Sequence, residues 1–280
     1  MLRQRIITAL LLLAVLLPAM FHGPVGPFAA LSVILVAAAG WEWARMNACA
    51  TARARWAGAG LALAMLCIWW LGGLEMAWWP FWLVIALVWL SVALVMLRRG
   101  VPGWQAWPPV PRLLVGMVLL AAAWLALVQA HQKGIVFLLS TLTLVWAADI
   151  AAYAGGKAFG RRKLAPTLSP GKSWEGAISG FVGVCLLAVF WLWFDRTHTH
   201  TGLSLFSRLW TAGPVWLIFA VICLTAASVV GDLLESLVKR GAGMKDSSQL
   251  LPGHGGVLDR VDALLPVLPM AMLVAQFLEK

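Results

Sequence analysis

Charge is what this chain has least of: 11% of its 280 residues are charged and 62% are hydrophobic. Water-soluble domains carry about a quarter charged residues and about half apolar ones. No soluble fold of this size could cover so much apolar surface, so lipid must solvate most of it. A cysteine framework is also missing. Cys49, Cys67, Cys185 and Cys223 include no Cys-x-x-Cys pair, and three of them sit in apolar runs. That argues against a zinc site or a disulfide scaffold and leaves buried small hydrophobes. No long polar stretch exists beyond 154–175 and 232–262, which excludes a soluble domain. Strict alternation of apolar and polar residues is absent, which excludes a membrane barrel, and no transporter-like internal repeat is visible.

What is present is a series of apolar runs. A hydrocarbon core of about 30 Å takes roughly 17–25 apolar residues as a helix, and helix is required because an open strand would leave backbone groups unpaired in lipid. Nine runs qualify, near 6–21, 25–41, 56–73, 77–97, 112–130, 135–153, 176–194, 213–231 and 263–278. The expected fold is therefore an all-α polytopic membrane protein. Residues 1–130 form N-terminal helices, and 131–280 form a C-terminal catalytic region with loops 154–175 and 232–262. The first run resembles a signal peptide but lacks a small-x-small cleavage pattern, so it reads as an uncleaved span.

With the N-terminus in the cytoplasm, seventeen of the 21 Lys and Arg fall on that side. Only Lys133, Arg196, Arg208 and Lys280 fall on the other. This asymmetry supports the orientation and the span count. Tryptophan pairs such as Trp41/Trp43, Trp69/Trp70, Trp78/Trp79 and Trp191/Trp193 read as interfacial belts. The net charge of +10 sits in short loops. It points to topology signals, anionic headgroups and phosphorylated substrates, not to nucleic acid.

Eight of the eleven acidic residues fall between 149 and 262, and all of them but Asp195 lie in or beside the two polar loops: Asp149, Glu175, Asp232, Glu235, Asp246, Asp259 and Asp262. The N-terminal half holds only Glu42 and Glu75, so chemistry is expected in the C-terminal half. Asp149 lies at the end of the sixth run with Tyr153 at i+4, where a carboxylate near hydrocarbon needs a partner. Asp232/Glu235 and Asp259/Asp262 are two carboxylate pairs at i,i+3, each at a helix end. With Asp246 and nearby Lys and Arg they form what a hard divalent cation takes; the alternative is solvated Glu–Lys and Asp–Arg pairs. Pro252-Gly253-His254-Gly255-Gly256 cannot be regular helix and could offer N–H groups to phosphate. Ser169-Pro170-Gly171-Lys172-Ser173 is not a P-loop, because Pro166 stands where the first glycine belongs. Gly176 and Gly180 read as a helix-packing notch.

From Ser236 through Lys239-Arg240 and Lys245-Asp246 to Pro252-Gly-His254-Gly255-Gly256-Val-Leu-Asp259-Arg260-Val-Asp262, the chain resembles the signature of the phosphatidate cytidylyltransferases, without a departure over 27 positions. Gly231-Asp232-x-x-Glu235-Ser236 leads into it. Asp149-x-x-Ala152-Tyr153-x-x-Gly156 and Ser169-Pro170-x-Lys172-Ser173-Trp174-Glu175-Gly176 are similar to upstream motifs, with Gly171 where a second lysine is expected.

The resemblance implies transfer of a cytidylyl group from CTP to phosphatidic acid, giving CDP-diacylglycerol and pyrophosphate. It further implies dependence on Mg²⁺ (one cation or two is left open), a homodimer, and a bacterial-type inner membrane with the site facing the cytoplasm. The expected ligands are Asp232, Asp246 and Asp259, then Glu235 and Asp262. Lys239, Arg240, Lys245 and Arg260 are expected to grip phosphate, joined by Ser236 and by the N–H groups of His254 to Gly256. Asp149 and Tyr153 would line the site, with Lys172, Ser173 and Glu175 closing it. The rival readings are a CTP-dependent polyprenol kinase, which would release CDP, and a transporter of a phosphorylated solute.

Overall fold

The computed structural model describes residues 2–76, 78–198 and 202–279. Lys280 of the charge count lies outside the described residues, as do the side chains of Arg3 and Arg5. Nine long helices match the nine apolar runs: α1 (Leu2–Phe21), α2 (Gly26–Met46), α3 (Thr51–Trp70), α4 (Trp79–Ala106), α5 (Pro109–Gln132), α6 (Ile135–Phe159), α7 (Trp174–Thr197), α9 (Pro214–Gly241) and α11 (Leu264–Leu278). Two short helices, α8 (Leu205–Ala212) and α10 (Leu258–Val261), a 3-10 turn at Gly73–Glu75 and one hairpin complete the described elements. Six helices (α2, α4, α5, α6, α7 and α9) are long and apolar enough to cross a membrane. The chain is an all-α polytopic membrane protein.

Contacts at the two ends of the bundle show how the chain alternates. At one end, Thr8 Oγ1 of α1 donates to the Pro252 carbonyl at 3.0 Å. At the same end, Gln105 Nε2 of α4 donates to the Gly241 carbonyl of α9 at 2.9 Å. At the other end, the His131 ring of α5 lies 2.8 Å from the Met20 carbonyl and stacks on Phe28. There too Glu279, past α11, binds Lys133 at 2.6 Å and Arg208 at 2.5 Å. Each long helix therefore runs from one end to the other, so every second connection returns to the end that carries Asp232, Asp259 and Asp262.

Between the ends the core is apolar, with Trp82, Trp124 and Phe137 fully buried. Trp124 donates to Ser32 Oγ at 3.1 Å. The tryptophan pattern is thus not only a belt. Trp70 and Trp193 are exposed, but Trp191 is buried and donates to Thr143 Oγ1 at 3.1 Å. Helices α6 and α7 pack at the glycine notch. A Cβ at Gly176 would stand 2.8 Å from the Ala152 carbonyl, and one at Gly180 2.9 Å from that of Ala148. Small residues allow the two backbones this approach.

Three features differ from the sequence expectation. The first is that polar loops 154–175 and 232–262 begin as helix, because α6 continues to Phe159 and α9 to Gly241. In α9 an i,i+4 ion pair, Glu235 with Lys239, supports the extra turns. The second is an antiparallel hairpin, β1 (Lys163–Ala165) and β2 (Ser169–Ser173), with Lys163 opposite Ser173. Its strands are too short and polar to show periodicity. The third is α8, which buries Leu205, Phe206 and Leu209. Its N-terminus is built by Ser204, which accepts from the Ser207 N–H at 3.2 Å and donates its hydroxyl to Asp195 at 2.6 Å.

Candidate active site

The hairpin folds back over the acidic end of the bundle, and between it, α6, α7 and α9 lies a cleft of about 360 Å³. Asp149 and Tyr153 line it from α6, Lys172 and Ser173 from β2, and Asp232 from α9. Lys172 Nζ pairs with Asp232 Oδ2 at 2.5 Å, and Ser236 Oγ donates to Asp232 Oδ1 at 3.3 Å. Lys172 and Asp232 are also the charged neighbours of Asp149. The rest of the wall is mostly small and apolar, with the hydroxyls of Ser169 and Thr225 among it. Ser173 closes nothing by itself: its hydroxyl caps α7 by accepting the Gly176 N–H at 3.1 Å. Glu175 points away, accepting the N–H groups of Arg161 and Arg162, and so fixes the start of the hairpin instead of lining the cleft.

Beside the cleft stands a second polar cluster. Lys239 Nζ bridges Glu235 at 2.5 Å and Asp259 at 2.7 Å. Asp259 Oδ2 accepts the Ser247 N–H at 2.9 Å, the Ser247 hydroxyl at 2.9 Å and the Gly256 N–H at 2.8 Å. Burial works against its ionisation. The contacts with Glu235 and Lys239 and the Gly256 N–H outweigh burial and hold the Asp259 carboxyl down to about 2. Asp262 behaves oppositely. Burial, and then the nearby Asp232 charge, push its carboxyl up to about 7. Asp262 also acts on Glu235, so it joins the two clusters electrostatically.

The sequence expected Asp232, Asp246 and Asp259 to share a cation. Among the described residues no three His, Cys, Asp or Glu side chains converge on one metal position. Asp259 spends its oxygens on Lys239, Ser247 and Gly256, and Asp246 is exposed on the loop beside Gly255. The residues coupled across the site are Asp232, Asp262 and Glu235, and Glu235 Oε1 is buried without a hydrogen-bond partner. Hard oxygen donors of this kind suit Mg²⁺, which needs few carboxylates and completes its shell with water and phosphate.

The glycine turn also differs from expectation. The His254 N–H bonds the Leu251 carbonyl at 2.8 Å, and that of Gly256 is held by Asp259. Neither is free for phosphate. Gly255 adopts φ +85°, which a side chain would resist. Arg260 clamps the turn, donating from Nε and Nη2 to the His254 carbonyl at 2.9 and 2.5 Å. Arg240 and Lys245 stay exposed.

One residue the sequence reading passed over holds this loop in place. Glu42 of α2 is fully buried. Its carboxylate accepts from the Ser248 hydroxyl at 2.5 Å and the Ser247 hydroxyl at 3.2 Å. It also accepts from the N–H groups of Val257 at 3.0 Å and Leu258 at 2.7 Å. A carboxylate inside an apolar run costs several kcal/mol unless partnered, and that was the signal available in Trp41-Glu42-Trp43.

Residues 3–278 match the model of the cytidylyltransferase family. The chain is 39% identical over 277 residues to a phosphatidate cytidylyltransferase of Pseudomonas aeruginosa, covering 96% of this chain and 95% of the relative. It is 34% identical over 270 residues to one of Brucella melitensis, covering 94% and 89%. A third relative so named, from Haemophilus influenzae, is 48% identical over 136 residues, 49% of this chain and 44% of that one. The long match and the carboxylate–lysine clusters at one end of an apolar bundle lead to one conclusion: the chain belongs to the cytidylyltransferase family.

Proposed function

We propose that this protein transfers the cytidylyl group of CTP to phosphatidic acid, producing CDP-diacylglycerol and pyrophosphate. The observation that carries the reading is the cleft itself, with the Lys172–Asp232 pair at its polar end and small apolar walls below. A lipid phosphate can sit there while its tails remain in hydrocarbon and the nucleotide arrives from water. Oxygen of the lipid phosphate attacks the α-phosphorus of CTP, and the bond to the β-phosphate oxygen breaks. No general base is required, because the phosphate monoester is largely ionised at neutral pH. Both reactants are anionic, so repulsion and alignment dominate the barrier. Lys172 offers its ammonium to phosphate at the cleft, and Lys239 holds Glu235 and Asp259 in register. Exposed Arg240 and Lys245 draw the triphosphate.

Mg²⁺ is the proposed cofactor. Asp232 and Asp262, whose charges act on each other, would hold it with water and phosphate completing its shell, and it would supply neutralising charge between the two phosphates. The proposed setting is a bacterial inner membrane with nine spans, the N-terminus and the site in the cytoplasm; the family resemblance adds a homodimer.

The test uses purified protein in detergent with base-labelled CTP, phosphatidic acid and Mg²⁺. Cytidine label extracted with the lipid, together with released pyrophosphate, is the expected result. Unlabelled lipid with CDP released would identify a lipid kinase instead.

A further inference from the structure

The cleft is deeper than a phosphate needs. On α9 it is lined by Thr225, Val229 and Asp232. At spacings of four and three residues these share one face of the helix. Thr225 precedes Asp232 by seven residues, so it lies about 10 Å further from the polar end. Across the cleft from it stand Ala148 of α6 and Gly180 of α7, which carry no side-chain polar atom, with Asp149 one residue further along α6. Thr225 is 5% exposed, and its Oγ1 has no hydrogen-bond partner. A threonine inside a helix ordinarily returns its hydroxyl to the carbonyl a turn earlier. Thr141 and Thr143 do so here, and Thr225 does not. A buried hydroxyl without a partner is unfavourable, so its place on the cleft wall points to a ligand that satisfies it.

We infer that Thr225 is the lipid-recognising residue of the cleft and donates a hydrogen bond to an acyl-ester carbonyl of the phosphorylated glycerolipid. The inference rests on the transferase reading and adds which part of the substrate the depth of the cleft receives. With the phosphate at Lys172 and Asp232, the groups next along a phosphatidic acid molecule are the glycerol carbons and the ester carbonyls. These carbonyls are strong acceptors that otherwise lose hydrogen bonds on leaving the interface. A hydroxyl donor set between Val229, Ala148 and Gly180 suits that sequence of groups.

The test compares wild type, Thr225→Val and Thr225→Ser on two lipids in mixed micelles: diacyl phosphatidic acid and its dialkyl ether analogue, which lacks the carbonyls. Wild type should favour the ester lipid by about five- to tenfold in kcat/KM, the effect of one neutral hydrogen bond. Valine, nearly the same shape, should abolish that preference by slowing only the ester lipid, leaving the ether lipid and the KM for CTP within twofold. Serine should keep it. An unchanged ester-to-ether ratio in the valine variant overturns the inference, as does a rise in KM for CTP alone, which would put the nucleoside in the deep end. If the valine protein does not fold, Thr225→Ala is read in the same way. Wild type that labels neither lipid removes the transferase reading, and this inference with it.

Discussion

The carboxylate of Glu42 accepts the Leu258 N–H at 2.7 Å across 216 residues of sequence. Through Ser247, whose hydroxyl meets both Glu42 and Asp259, that contact ties α2 to the loop that ends in Asp259 and Asp262. Replacing Glu42 by Gln keeps the volume but sets an amide N–H₂ against donors already present. We expect a loss of about 2–4 kcal/mol in stability and a fall in kcat of about tenfold or more. Thermal unfolding followed by tryptophan fluorescence and steady-state rates check both.

Gly256 packs directly beneath that contact. A Cβ there would overlap Ser247 Oγ and Glu42 Oε1, and neither can retreat without giving up a buried hydrogen bond. Gly256→Ala should therefore cost more activity than Gly171→Ala, where a Cβ meets nothing within 4 Å. Parallel assays of the two variants decide it.

Lys239 separates two buried carboxylates, Glu235 and Asp259. Lys239→Met removes the one cation between them, leaving charge uncompensated at a cost of about 3–5 kcal/mol. The protein should melt lower, and the loss should shrink in the double variant Lys239→Met/Glu235→Gln, which removes one of the stranded charges. Equal melting of the single and double variants would show that the charges are not coupled.

Asp262 gives the pH dependence. Its carboxyl is raised from 3.8 to about 7, so the folded protein without metal holds a proton that the unfolded chain releases. That contribution to stability is complete below about pH 4 and is lost as pH rises through about 7. Cation binding runs the other way, because the proton must leave first. Apparent Mg²⁺ affinity should fall about tenfold per pH unit below 7 and level off above it. Isothermal titration at several pH values measures this, and Asp262→Asn should flatten the profile.

Much of the fold was legible because hydrophobic run length is a strong signal in lipid: every apolar run became a helix, and the i,i+4 Glu235–Lys239 pair lies where the spacing put it. The carboxylates of the 232–262 region were also readable as a group. Their division of labour was not. Whether Asp259 binds a cation or is consumed by Lys239, Ser247 and Gly256 depends on how a glycine turn folds back, and that is a long-range fact. Glu42 was missed because a lone acidic residue in an N-terminal run has no neighbour in sequence that reveals partners 205 to 216 positions away. The hairpin that carries Lys172 to Asp232 and the short helix α8 left no periodic trace.

The transferase account is tested most directly by the fate of phosphorus. Purified wild-type protein is given CTP labelled at either the α- or the γ-phosphate, with phosphatidic acid and Mg²⁺, and Asp232→Asn serves as the comparison. The account predicts that the α-label enters the lipid and the γ-label leaves in pyrophosphate, and that the variant does neither at a comparable rate. Lipid carrying the γ-label, or an Asp232→Asn protein as active as wild type, would contradict it.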